Sequence, residues 1–345
     1  MDPIHQPSRT PDTAPPAGLA GIPEAAPSWH DLQLQPPQSL RHHLPSYYQS
    51  LGDGTKQWLG IRTGCAPFDR LNAGLTGLSV LAGQPGTGKT SLALQWAYDS
   101  CREYGTPVLF YSLEMARHEV ITRLLSRRSR TARNAILLHG RPALDPDYAP
   151  HYAPTDGPNK CTGFAVDIEG LRRANTELQA VADRFHILDR TDGPLTFERL
   201  FYDVQTLRAE LEQDDLLVVI DYLQIVPHPQ AFKSLKEKID ALLDGFVQVQ
   251  RQTGATMLLI SQKNRSGYER SGLDTLMGSA GIEYAADLVC LLNHTSTEDP
   301  MTDAAVGFRP VVPVELVVAK NRYGARGRLH LEFEGAYANF AVQGG

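Results

Sequence analysis

The chain has 345 residues, 42% of them hydrophobic and 21% charged, with a net charge of −6 at pH 7. This describes a globular protein with room for one large α/β domain and extras, and it excludes a blanket polycation. Any nucleic-acid contact must therefore come from a local basic surface. No apolar run approaches the roughly 18 residues of a membrane span, and no basic-then-apolar leader opens the chain, so a cytoplasmic location without a membrane partner is expected. Cys65, Cys101, Cys161 and Cys290 lie far apart, which argues against a zinc ribbon or a disulfide framework.

In chain order, residues 1–37 are rich in Pro and Ala and are read as a disordered tail with too little apolar surface to offset ordering entropy. Residues 38–58 read as a linker. Within it Leu40, Leu44, Tyr47 and Leu51 fall at helical spacing, and Pro45 predicts a kink or a late helix start. That stripe packs either on its own domain or, as an inter-subunit helix, on a neighbour. From 59 to 345 strands alternate with helices. "LSVLAG" is strand-like, and "TSLALQWAYDSCREYG" is helical with Gly105 as its C-cap. "TPVLFYSLEM", "DDLLVVIDYLQIV" and "GATMLLISQKN" are buried strand runs, the last preceded by the helical stripe Leu235, Ile239, Leu242, Phe246 and Val249. "AADLVCLLNH", "VPVELVVAKNR" and "RLHLEFEGAYANFAV" close the chain. The pattern predicts an α/β fold with a mainly parallel central sheet, flanking helices and antiparallel edge strands. Between 138 and 162 a proline recurs every fourth residue from Pro142 to Pro158, which predicts an extended, exposed insert.

The chemistry concentrates in "VLAGQPGTGKTSLALQWA". Gly83, Gly88, Lys89 and Thr90 match the phosphate-loop pattern, placed between a strand and a helix. Gly83, Gln84, Pro85, Gly86, Thr87, Gly88, Lys89, Thr90 and Ser91 are the candidate nucleotide-binding residues. Gly86 and Gly88 let backbone N–H groups turn inward, and the new helix adds its positive end. Lys89 is expected to reach the β/γ-phosphates and the Thr90 hydroxyl to ligate Mg²⁺. Asp221, at the end of the "LLVVIDY" strand, would hold the same ion through Thr90 or water. Glu114 ends another strand and would polarise the attacking water; Gln262 ends a third and would sense the γ-phosphate. Taken singly, each acid is an ordinary strand-ending residue. The arginines Arg123, Arg127, Arg128, Arg130 and Arg133 are read as a solvated helix face, with a subunit interface or a nucleic-acid contact as the alternative.

The set "TGCAPFDRLNAGL", "GQPGTGKTSLALQWA", "YSLEM", "VVIDYLQIV", "ISQKNRS", "GIEYAAD" and "VVAKNRYGARGRLHLEFEG" resembles the C-terminal ATPase domain of the DnaB-type replicative helicases, a RecA-like P-loop NTPase fold. The likeness runs from about 59 to 341. It implies ATP and Mg²⁺ as cofactors, Glu114 as the catalytic carboxylate, Asp221 as the Walker B acid and Gln262 as the sensor. It further implies that Lys320 and Arg322 act in trans on the nucleotide of an adjacent subunit, in a homo-oligomeric, hexameric ring on single-stranded DNA. A replication or mobile-element protein is an expected partner. The family also carries an N-terminal helical domain for ring architecture and primase contact; a Pro-rich segment stands in that place here, so primase docking in the usual manner is not expected. The family's DNA loop reads R-E-S-G-S-I-E-Q-D-A-D, whereas 277–287 read "MGSAGIEYAAD", with Met277 for the Arg. Gly278, Ser279, Ala280 and Gly281 still offer backbone N–H groups to phosphates, and Lys263, Arg265 and Arg270, or Lys233 and Lys236, are the candidate compensating cations, with a solvated surface charge as the alternative for each. The resemblance thus implies an ATP-dependent helicase or translocase. The departures leave open an ATP-switched assembly or regulatory ATPase that does not unwind processively.

Overall fold

A computed structural model describes residues 39–51, 58–144, 167–263, 279–295 and 311–343. The predicted tail, and most of the proline-spaced insert, lie outside the described residues. The chain divides into two units, Met1–Lys56 and Gln57–Gly345. In the first, helix α1 (Leu40–Ser50) contains Pro45 in its interior, so the helix starts ahead of the proline rather than after it. Its Leu40, Tyr47 and Tyr48 are exposed.

The second unit is built on one nine-stranded sheet, ordered β3-β2-β4-β5-β1-β6-β7-β8-β9. After α2 (Ala66–Asn72) come β1 (Leu78–Gly83), α3 (Lys89–Tyr104) and β2 (Val108–Ser112). Helices α4 (Arg117–Ser129), α5 (Arg133–His139), α6 (Arg141–Leu144) and α7 (Ile168–Gln179) lead to β3 (Phe185–Asp189). Then follow α8 (Phe197–Leu211), β4 (Leu217–Asp221), α9 (Leu235–Thr253), β5 (Thr256–Gln262), α10 (Ser279–Ala285) and β6 (Leu288–His294). Strands β7 (Val312–Asn321), β8 (Gly327–Glu334) and β9 (Asn339–Val342) end the sheet. The first six strands in space are parallel, and β7, β8 and β9 are antiparallel. This is the predicted parallel sheet with an antiparallel edge.

Alternation along the strands splits the core between the two faces. Val218 and Ile220 of β4 pack with Ile239, Leu242, Phe246 and Val249 of α9. Leu217 and Val219 pack on the other face, with Leu92, Trp96 and Ala97 of α3. Ser234 caps α9 by accepting from the Glu237 N–H, and Gly254 closes it at φ 70°. Gly105 closes α3 in the same way, as its sequence position predicts.

Two expectations are corrected. The insert was expected to be extended from 138, yet α5 and α6 carry helix as far as Leu144, with Pro142 at the start of α6 where its missing N–H has no intrahelical partner to lose. Strand β3 has no counterpart among the predicted elements. Its residues "FHILD" are mostly half-buried at the sheet edge, so they lack the apolar run that marks the inner strands. Among the described residues no helix is long and apolar enough to cross a membrane.

Candidate nucleotide site

The site lies where β1, β4, β5 and β2 end together. Gly83, the last residue of β1, is level with Gln262 of β5, and Ser112 of β2 is level with Asp221 of β4. One side of that edge is closed by the 83–90 loop. At Gly88 φ is 87°, and a Cβ there would stand 2.8 Å from Phe340 and 2.9 Å from Phe333, so both the left-handed turn and the tight packing require glycine. Thr87 is buried and its hydroxyl donates to the Gln84 carbonyl at 2.9 Å. Gly83, Gln84 and Thr87 therefore shape the loop, while Pro85, Gly86, Gly88, Lys89, Thr90 and Ser91 face a cavity of about 500 Å³.

Glu114, Asp221 and Gln262 line the same cavity. The Thr90 hydroxyl donates to Asp221 Oδ1 at 3.2 Å. The other carboxylate oxygen, Oδ2, is buried without a hydrogen-bond partner. An orphaned buried carboxylate oxygen beside a threonine hydroxyl suits a hard, oxygen-seeking cation, so the residues fit Mg²⁺. Burial, together with the like charge of Glu114, pushes the Asp221 carboxyl up to about 6, against the opposing pull of Thr90, Arg123 and Lys89. Lys89 Nζ donates to the Gln84 carbonyl at 2.7 Å. Burial lowers its ammonium to about 8, although Asp221 and Glu114 pull the other way. A half-buried cation whose hydrogen bond goes to a neutral carbonyl is poised for a stronger anionic partner.

Glu114 is exposed to the cavity and held by its loop rather than by a partner. The Leu113 N–H donates to the Asp221 carbonyl at 2.8 Å, tying that loop to the end of β4. The Ser112 hydroxyl closes the turn on the Met115 carbonyl at 2.7 Å. Asp189, at the end of β3, accepts from the Arg117 N–H at 2.8 Å and so anchors the start of α4. The two acids thus share one rigid edge, one buried and one open to solvent.

Lys320 and Arg322 stand elsewhere. Asn321 is level with Leu288, which is level with Ser79 at the start of β1. They therefore occupy the opposite end of the sheet from their own loop, about 13 Å away along the strand from Ser79 to Gly83. Lys320 Nζ donates to the carbonyls of Glu283 and Ala286, the latter at 2.6 Å. Arg322 Nη1 pairs with Asp287 Oδ1 at 2.7 Å.

The expected DNA contacts are partly redrawn. Lys263 is 2% exposed and its Nζ donates to Asn293 Oδ1 at 2.6 Å, so it is an interior residue rather than a surface cation. Ser279, Ala280 and Gly281 open helix α10 instead of forming an open loop. A Cβ on Gly281 would meet Asp240 Oδ1 at 2.1 Å, so that residue faces α9. Arg265, Arg270, Met277 and Gly278 lie outside the described residues.

The arginine face is also not simply solvated. Arg127 makes a bidentate pair with Asp99, at 2.8 and 2.6 Å, Arg128 pairs with Glu177 at 2.6 Å, and Arg130 pairs with Glu334. Arg123 and Arg133 instead line the cavity, together with Asn134, Phe333, Gly335 and Ala336. None of these six was singled out as a site residue from sequence. Arg123 lies nine residues beyond Glu114 on a helix with several arginines, and periodicity alone does not say which face looks into the cavity.

A parallel sheet in this order, with a phosphate loop, a threonine–aspartate pair and a second carboxylate at one edge, defines a RecA-like nucleotide-binding domain. The family model for the DnaB-like helicase C terminal domain matches residues 60–146 and 162–342, and the chain belongs to that family. It is 26% identical over 297 residues to the replicative DNA helicase DnaB of Leifsonia xyli, covering 82% of this chain and 56% of that protein. It is 25% identical over 307 residues to the DnaB of Mycoplasma pneumoniae, with 82% and 57% covered. The chain thus spans a little over half the length of these curated relatives. A solved ATPase domain superposes with a TM-score of 0.69 at 22% identity, covering 89% of this chain and 99% of that one. A DnaB-like replicative helicase solved in a study of its interactions with primase gives 0.68 at 22%, covering 88% and 68%.

Proposed function

We propose that this chain hydrolyses Mg-ATP and uses it to move along single-stranded DNA as a hexameric ring, separating strands. The observation that carries this reading is the convergence of Lys89, Thr90, Asp221, Glu114 and Gln262 on one cavity. Thr90 and Asp221 would hold Mg²⁺, which supplies charge neutralisation for the phosphates. Lys89 would exchange the Gln84 carbonyl for a phosphate oxygen. Glu114, open to the cavity, would accept a proton from the attacking water, and Gln262 would hydrogen-bond the γ-phosphate or that water. Lys320 and Arg322, remote from their own loop, would meet the nucleotide of the next copy, where a guanidinium would neutralise the transferring phosphoryl group.

A second reading, an ATP-switched assembly or regulatory ATPase, is favoured by one observation. Lys263 is interior and donates to Asn293, so one of the cations expected to touch DNA is engaged within the fold. Incubating the protein with forked DNA and Mg-ATP, beside Lys89→Ala, separates the readings. Strand separation by six-subunit particles supports the motor, and ATP-dependent assembly without strand separation supports the switch. A wild-type chain that turns over no ATP removes both.

A further inference from the structure

Five arginines cluster between residues 123 and 133, and the fold treats them in two ways. Arg127, Arg128 and Arg130 are each neutralised by a carboxylate, and these pairs tie α4 to α3, α7 and β8. Arg123 and Arg133 have no carboxylate partner among the described residues, and both line the cavity. Arg123 is half-buried and donates only to a neutral group, Ser91 Oγ, at 3.1 Å. Two guanidinium groups thus face one cavity with neither paired directly to a carboxylate, although Glu114 and Asp221 line the same space, and together they offer an anion a place to bind. Burial, and the nearby charge of Arg133, push the Arg123 guanidinium below its usual range. An anion bound between them would relieve both effects.

The position of that anion follows from helix geometry. Thr90 directs its hydroxyl to Asp221, and Ser91 directs its own to Arg123. Successive helical residues point about 100° apart, so Arg123 approaches the start of α3 from a different side than the metal-binding aspartate. Arg133, Asn134, Phe333, Gly335 and Ala336 line the same cavity. Resting on the ATPase reading above, we propose that Arg123 and Arg133 form a second cationic arm of the site, acting in cis on the α-phosphate end of the nucleotide. The arm grips the part of ATP that survives hydrolysis. It therefore holds ADP as firmly as ATP, and it is distinct in role from Lys320 and Arg322, which are remote from this cavity.

The test is titration of the full chain with ADP by calorimetry, for wild type, Arg123→Gln, Arg133→Gln and the double variant. Arg328→Gln, on β8 and 61% exposed, is the surface control. Each cavity variant is expected to weaken ADP binding roughly ten-fold, and the double variant more, because charge-assisted hydrogen bonds to phosphate are lost. KM for ATP is expected to rise by a similar factor while kcat changes little, and Arg328→Gln leaves both unchanged. If Arg123→Gln does not fold, Arg133→Gln carries the test, since removing that side chain strands no partner among the described residues. ADP affinity equal to wild type overturns the inference and leaves the ATPase reading standing. A loss of kcat with ADP affinity intact also overturns it, because the guanidinium then acts on the transferring phosphoryl group. A wild-type chain that binds no ADP overturns the inference together with the ATPase reading.

Discussion

Thr90 and Asp221, separated by 131 positions in the chain, meet through a 3.2 Å hydrogen bond at the mouth of the parallel sheet. The pair satisfies only one carboxylate oxygen and leaves the other buried and bare. Without a cation the aspartate is a liability to the fold; with one it becomes a ligand.

That tension predicts opposite effects on stability and activity for Asp221→Asn. Burial raises the native carboxyl from 3.8 to about 6, so the ionised form is disfavoured in the fold. Below about pH 4 the group is protonated in both states and costs nothing. Between there and pH 6 the unfolded chain releases its proton first, and wild-type stability falls as pH rises. Urea unfolding without nucleotide or metal at pH 7 should therefore show Asp221→Asn more stable, by on the order of 3 kcal/mol. The advantage should disappear near pH 4, while Mg-dependent hydrolysis is lost. In the wild type, kcat/KM for ATP should drop below about pH 6, where the free site holds a proton instead of the metal.

Glu114 is open to the cavity and its loop is fixed by backbone contacts. Glu114→Gln keeps that geometry but removes the proton acceptor. Nucleotide affinity should stay within a few-fold of wild type, and kcat should fall roughly a hundred- to ten-thousand-fold. Single-turnover ATP cleavage beside nucleotide titration checks both halves; a matching loss of affinity would assign Glu114 to binding instead.

For Arg322 the expected signature is subunit mixing. Its guanidinium stands at the far end of the sheet from its own loop and pairs with Asp287. If it completes the neighbour's site, Arg322→Ala subunits mixed into wild type should depress ATPase activity more steeply than their share of the mixture. A strictly proportional decline would show that each copy works alone.

Arg127 and Asp99 are each 10% exposed in their side chains and make a bidentate pair. Arg127→Ala strands a buried carboxylate and should cost about 3 kcal/mol or more in chemical denaturation. Adding Asp99→Ala should restore part of that loss, a coupling that a double-mutant cycle reads directly. Arg130→Ala, whose side chain is 51% exposed, should cost under about 1 kcal/mol.

Much of the site was legible because its residues sit at strand ends. A run such as "LLVVIDY" announces both a buried strand and the acid that follows it, and in a parallel sheet all such ends share one edge. Asp221, Glu114, Gln262 and the 83–90 loop were therefore readable as a set. Strand β3 was not, because "FHILD" is half-buried and carries a histidine in the place of an apolar residue. The arginines misled for a related reason: charge suggests solvent, yet Arg127 is folded against Asp99 and Arg123 against Ser91, partners that lie 28 and 32 residues away. Lys263 misled in the same sense, its charge buried on Asn293 from another strand.

Local order along the chain thus determined the loop, the strand-ending acids and the alternation that builds two apolar faces, since each depends on residues within one turn or one strand. The packing of α4 across α3, the separation of Arg322 from its own loop and the choice of which arginines meet carboxylates depend on contacts between distant segments. Those were decided by how the helices settle on the sheet, where side-chain volume and counter-charge select one arrangement that periodicity leaves undetermined.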